Sequence, residues 1–293
     1  MLAPETTSNY HPTRAWIFDW DGIFVDSESW KAWTYGLGLC NFQADFATRP
    51  ESRFDTRRPR ATDPFLQVCG RFVGKSREEY ARGVLAHYDA LDFRLSEQLA
   101  SLAEGWKVSE PDRLEQIVRE RRKTGVPLDA PVEAWEVLFE IRRPFYAKYE
   151  DSVEPINANV EFLSRLPKRL PVGLVTRTPG DRVRTLMERF AMPVDRFGAM
   201  SCVAQKTVSK SRMYEDTARK LGVKLEECAA VEDTETGITE ARKAGSERGE
   251  CIGLVIASPT PMTAVQDFGA ADLVVQGGLL KLRALEGALG ERN

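Results

Sequence analysis

At 293 residues the chain can fill one large domain or two ordinary ones, and a composition of 42% hydrophobic and 29% charged residues supports a buried core. A formal net charge of -3 argues against general nucleic-acid binding. Two histidines (His11, His87) and five cysteines without a Cys-x-x-Cys pair leave little room for a histidine triad, a zinc site or a disulfide framework.

Residues 1–14 carry neither a basic start nor an apolar stretch, and no run in the chain is long enough to span a bilayer. A cytoplasmic location without a membrane partner is the expectation. Residues 15–20 read as a first strand, and 22–26 as a tight turn with a short hairpin, because Gly22 relieves the backbone just after Asp19 and Asp21. An apolar strand that stops at two carboxylates sets them at the carboxyl end of a buried sheet, where open α/β folds bind ligands.

From 29 to 149 the character changes to helical periodicity, with segments at 77–89, 95–103, 112–122 and 132–148 and no strong strand signal. Pro111 and Pro131 fall near two helix starts. Within this stretch Arg49, Arg53, Arg57, Arg58 and Arg60 mark a basic irregular loop, and the run Arg119 to Lys123 reads as an exposed helix face. Trp30, Trp33, Trp106 and Trp135 recur at spacings that suit core packing better than a pocket lining.

After 149 strands and helices alternate. Helices are expected at 157–166, 181–190, 211–221 (stopping at Gly222) and 237–244, with strands at 171–176, 198–203, 228–231, 251–257 and 273–275. That spacing implies right-handed crossovers, hence a parallel sheet with helices on both faces. The first strand has no partner among the intervening helices and must join the same sheet. The fold class is therefore α/β, a Rossmann-like doubly wound parallel core formed by 1–28 and 150–293, with an inserted all-helical cap over 29–149.

Four chemical elements fall at four strand ends: Asp19 with Asp21, Thr176-Arg177-Thr178, a lysine (Lys206 or Lys210), and Glu232 with Asp233. In a parallel sheet all four meet at one edge. Carboxylates, a hydroxyl and an ammonium are the groups that phosphoryl transfer to an aspartate requires, with Mg²⁺ and the lysine neutralising the equatorial oxygens and a second carboxylate handling protons. No Gly-x-x-x-x-Gly-Lys loop is present, which excludes a P-loop nucleotide hydrolase.

The stretch Phe18-Asp19-Trp20-Asp21-Gly22 with Asp26-Ser27-Glu28 resembles the first motif of the haloacid dehalogenase-like superfamily. The stretch 231–238, Val-Glu-Asp-Thr-Glu-Thr-Gly-Ile, continued by 241–245, resembles its last. The pattern is most similar to the phosphatases and β-phosphoglucomutases with a helical cap. This resemblance implies that Asp19 is the nucleophile and that Asp21 protonates the leaving oxygen and then activates water. It implies a Mg²⁺ site made by Asp19, Asp233 and the Asp21 carbonyl, with Glu232 as a direct or neighbouring partner. It further implies that Thr176, the Arg177 amide and the motif lysine hold the phosphoryl group. Counting forward from Phe197 favours Lys210, although the family's following proline is Ser211 here; Lys206 is the alternative. An acid at Asp21 points to phosphate esters, whose leaving group needs a proton, rather than to carbon–halogen or phosphonate cleavage. The implied function is a Mg²⁺-dependent phosphatase of a small phosphorylated metabolite. A sugar phosphomutase and a non-catalytic binder of a phospho-ligand or protein are the alternatives.

Overall fold

The computed structural model describes residues 13–202 and 208–285. Among them six strands form one parallel sheet: β1 (Ala15–Phe18), β2 (Val172–Thr176), β3 (Ala199–Cys202), β4 (Cys228–Glu232), β5 (Leu254–Ala257) and β6 (Leu273–Val274), in the order β3-β2-β1-β4-β5-β6. β1 lies between β2 and β4, with Phe18 level with Leu174 on one side and Val231 on the other. The order reverses direction at β1, so a crevice opens beyond its carboxyl end.

All four β1 residues are buried, and alternation sorts them by face. Ala15 and Ile17 join a cluster with Met213, Tyr214 and Ala218 of α9 (Lys210–Lys220) and Ile238 and Ala241 of α10 (Glu235–Lys243). Trp16 and Phe18 turn to the other face, where Phe162 of α7 (Asn157–Arg165) meets their rings edge-on at 5.3 and 6.4 Å. Along β1, small and aliphatic residues thus serve one face and aromatics the opposite one. The remaining α-helix of the alternating stretch is α8 (Gly180–Arg189), which follows β2.

Strand β1 stops at Phe18, two residues before the expected end. The Asp19 amide still donates to the Val231 carbonyl, but the Trp20 carbonyl turns to accept from Ile23, Phe24 and Val25. Gly22 takes a left-handed φ of 75° in this turn. The expected short turn closes on itself, the Gly22 amide donating to the Val25 carbonyl at 2.8 Å and Asp21 bridging Val25, and Val25 also bridges to Pro155. Helix α10 starts at Glu235 rather than 237 because Thr234 caps it, its Oγ1 accepting from the Gly237 amide. Likewise Ser209 caps α9, which begins at Lys210. The expected third-strand end at Val203 and the alternative Lys206 lie outside the described residues, as does His11.

The chain divides into two compact units. One comprises the chain up to Asp26, Glu154–Thr260 and the chain from Gln266; it holds the sheet. The other comprises Ser27–Val153 and Pro261–Val265 and is helical. Its helices are α1 (Ser27–Phe42), α2 (Pro64–Gly70), α3 (Arg77–Asp89), α4 (Leu95–Ser109), α5 (Pro111–Thr124) and α6 (Ala134–Tyr149). Helix α3 coincides with its expected span, opened by a capping box between Ser76 and Glu79. Trp33 and Trp106 are buried in this unit's core, and Trp30 and Trp135 pack against it. In the run Arg119 to Lys123, Arg119, Arg122 and Lys123 are exposed, Glu120 is half-buried and Arg121 is buried, a correction to the expected exposed helix face. Arg121 turns inward onto the Glu136 carboxylate at 2.5 Å, and it also donates to the carbonyls of Pro127, Ala130 and Pro131. In the basic loop, Arg49 pairs with Asp45, while Arg57 and Arg60 pair with Asp55. Met262, from the segment after β5, is fully buried among the helical unit's apolar side chains. Its carbonyl passes so close to Gly70 that a β-carbon there would lie 2.1 Å away. All five cysteines are free thiols. No described helix is long and apolar enough to cross a membrane.

Candidate active site

The carboxyl ends of β1 and β4 bring three acids together. One oxygen from each of Asp19, Glu232 and Asp233 lies within 4.8 Å of the others, and all three residues are buried. At an effective dielectric near 20, each such pair of charges repels by about 3 kcal/mol. Lys210, the first residue of α9, answers part of this: its Nζ is 2.9 Å from Asp19 Oδ2 and 2.7 Å from Glu232 Oε1. Burial works against charge on Lys210, yet the two carboxylates outweigh it and hold its pKa above the ordinary lysine value. One helical turn on, Tyr214 donates its hydroxyl to the same Glu232 Oε1 at 2.5 Å. Burial, with Glu232 and Asp19 beside it, raises the Tyr214 phenol well above its usual range, so it remains a donor.

Lys210 pairs with two of these three buried carboxylates, Asp19 and Glu232. Burial first, then the Glu232 charge, drives the Asp19 carboxyl well above the usual carboxylate range despite Lys210. Glu232 Oε2 is buried and has no hydrogen-bond partner among the described residues. Two glycines leave the room around these oxygens: a β-carbon at Gly22 would fall 1.9 Å from Asp233 Oδ2, and one at Gly237 would fall 2.1 Å from Glu232 Oε2. A hard, oxygen-seeking divalent cation fits this donor set and its charge.

The other expected residues are placed as follows. Asp21 is half-buried and close enough to Asp19 for its charge to push that carboxyl's pKa upward. Thr176 ends β2 and is fully buried. Its Oγ1 accepts from the Thr178 amide at 3.1 Å, and Thr178 Oγ1 donates to Asp21 Oδ2 at 2.5 Å. The Arg177 side chain is exposed. The sequence named Thr178 only as part of the Thr176-Arg177-Thr178 strand end and gave Asn159 no role. Asn159, on α7, uses its amide nitrogen to bind the Ile23 carbonyl at 2.7 Å and its oxygen to accept from the Leu279 amide at 2.7 Å, so it pins the turn that follows Asp21. The Lys-x-x-x-Tyr spacing, which in the sequence favours Lys210 as the motif lysine, places Tyr214 one helical turn on, where it shares Glu232 with that lysine.

A family model for haloacid dehalogenase-like hydrolases matches residues 13–245. No curated protein matches the sequence. Among solved structures, a hydrolase of that family from Deinococcus radiodurans, with bound phosphate and sodium, superposes with a TM-score of 0.56. Identity is 17%, over 96% of this chain and 99% of that one. A predicted phosphoglycolate phosphatase from Haemophilus somnus gives 0.54 at 13% identity, over 93% and 97%. A β-phosphoglucomutase from Clostridium difficile gives 0.50 at 15% identity, over 95% and 98%. At these identities the superpositions speak to the fold.

Proposed function

The chain belongs to the haloacid dehalogenase-like hydrolases, and on that premise we propose that it is a Mg²⁺-dependent phosphatase acting on a small phosphorylated metabolite through an aspartyl phosphate. The observation that carries the reading is the placement of Asp19 against Lys210 with a second carboxyl, Asp21, tethered two residues on. A carboxylic acid at that position serves a leaving group that needs a proton, as an alkoxide does. Two solved proteins of similar fold, a predicted phosphoglycolate phosphatase and a hydrolase with bound phosphate, agree with this class.

In the first step an Asp19 carboxylate oxygen attacks phosphorus, the bond from phosphorus to the ester oxygen breaks, and protonated Asp21 delivers its proton to that oxygen. In the second, Asp21, now a carboxylate, takes a proton from water as the water oxygen attacks phosphorus. The bond from phosphorus to Asp19 then breaks and phosphate leaves. Lys210 orients Asp19 and faces the charge that builds on the phosphoryl oxygens, with Glu232 and Tyr214 holding the ammonium in place. The Thr176 hydroxyl and the Arg177 amide bind phosphoryl oxygens. Asp19, Asp233 and the Asp21 carbonyl, with Glu232 beside them, would hold Mg²⁺, which would supply positive charge toward the phosphoryl oxygens.

Turnover of aryl phosphates with and without Mg²⁺ tests the proposal. Asp19→Asn is expected to remove detectable turnover. Asp21→Asn should lower it by about 10²- to 10⁴-fold, the range of general acid–base catalysis. Release of free phosphate distinguishes hydrolysis from interconversion of sugar phosphates. Full activity in Asp19→Asn would falsify the nucleophile assignment.

A further inference from the structure

The loop after β2 carries two threonines with different surroundings. Thr176 is buried at the strand end, whereas Thr178 is half-buried and sends its hydroxyl to Asp21 Oδ2 at 2.5 Å. Thr178 has little freedom to do otherwise. Its amide is bound to Thr176 Oγ1, and Pro179 follows it, which disfavours the helical region for Thr178. Pro179 in turn caps α8, which begins at Gly180. Strand, internal hydrogen bond, proline and helix start together fix the Thr178 side chain relative to the sheet.

A carboxyl group that must donate a proton and later remove one works best when a single oxygen faces the reacting centre. An unrestrained Asp carboxyl turns broadly about its last torsion and presents either oxygen. We propose that Thr178 is a positioning residue for Asp21: by donating to Oδ2 it fixes the orientation in which the carboxyl carries the proton to the leaving group and takes one from water. This rests on the phosphatase reading and adds to it a residue that acts through Asp21 rather than on the substrate. Atoms balance as in the two steps above; Thr178 keeps its own proton throughout.

The test is leaving-group dependence. Values of kcat/KM for dinitrophenyl, nitrophenyl, phenyl and alkyl phosphates would be compared in the wild type, Thr178→Val and Thr178→Ser. Valine keeps the shape and loses the donor. It is expected to cost about ten- to a hundredfold on phenyl and alkyl phosphates, the effect of losing a hydrogen bond to a charged group. On dinitrophenyl phosphate, whose leaving group needs no proton, the change should stay within about threefold. Serine should restore the unactivated esters. An equal loss on every ester, or none on any, overturns the inference while leaving the phosphatase reading standing. Absence of wild-type turnover on all of them sinks both. Independently of activity, a crystal structure of Thr178→Val is expected to show the Asp21 carboxyl in more than one orientation. A single unchanged orientation counts against the role.

Discussion

Lys210 keeps its charge in a place where an isolated ammonium would tend to lose it, because the Asp19 and Glu232 carboxylates outweigh the cost of burial. Replacing it by methionine fills the space and removes the only ammonium bound to the acidic cluster among the described residues. We expect Lys210→Met to lose at least about 10²-fold in kcat, as when an electrostatic donor is removed from a developing charge. Its stability should fall by about 3–5 kcal/mol without metal, since breaking a buried ion pair strands the partners. Part of that loss should return on adding Mg²⁺, read as a rise in Tm. The wild type should gain about 2.7 kcal/mol at a hundredfold excess over Kd. No metal-induced Tm shift in the wild type would remove the cation site. At this scale the acids were legible because Asp19, Asp21 and Asp233 interrupt apolar runs, which is a pattern. Thr178 was legible only as part of its strand end and Asn159 not at all, because one hydroxyl or one amide carries no periodicity and acquires meaning only from what the fold brings beside it.

Among elements, the strand ends do the assembling. β1 and β4 deliver the acids, β2 delivers the two threonines, and α9 presents Lys210 and Tyr214 on one face. Periodicity made most of these elements legible, and their termini less so. Helix starts were fixed by Ser209 and Thr234, whose side chains satisfy amides that the apolar pattern does not register. The turn after β1 is held from outside by Asn159, which spans from Ile23 to Leu279. Asn159→Ala leaves a buried carbonyl and a buried amide without partners. A loss of about 2–6 kcal/mol is expected, from one to three for each orphaned group, measured by urea unfolding. A shift under half a kcal/mol would mean that the turn holds itself.

At the scale of the molecule, the parallel sheet with β1 inside it was legible from strand–helix alternation, since a lone strand before a long helical stretch has only one sheet to join. The contribution of Pro261–Val265 to the helical unit was not, because those residues read as an ordinary loop between two strands. Met262 is fully buried there, and Met262→Ala should cost about 2–5 kcal/mol, as for other large-to-small core changes. Denaturation followed by tryptophan fluorescence would report it, Trp33 and Trp106 lying in the same cluster.

That five-residue loan changes what can be transplanted. Because the helical unit is drawn from two separate pieces of chain, a graft or excision of residues 27–153 alone would carry an unfilled socket where Met262 belongs. Chimeras that exchange this unit for another must therefore exchange the stretch after β5 in the same operation. An evolutionary shuffling event at the obvious two junctions would arrive incomplete.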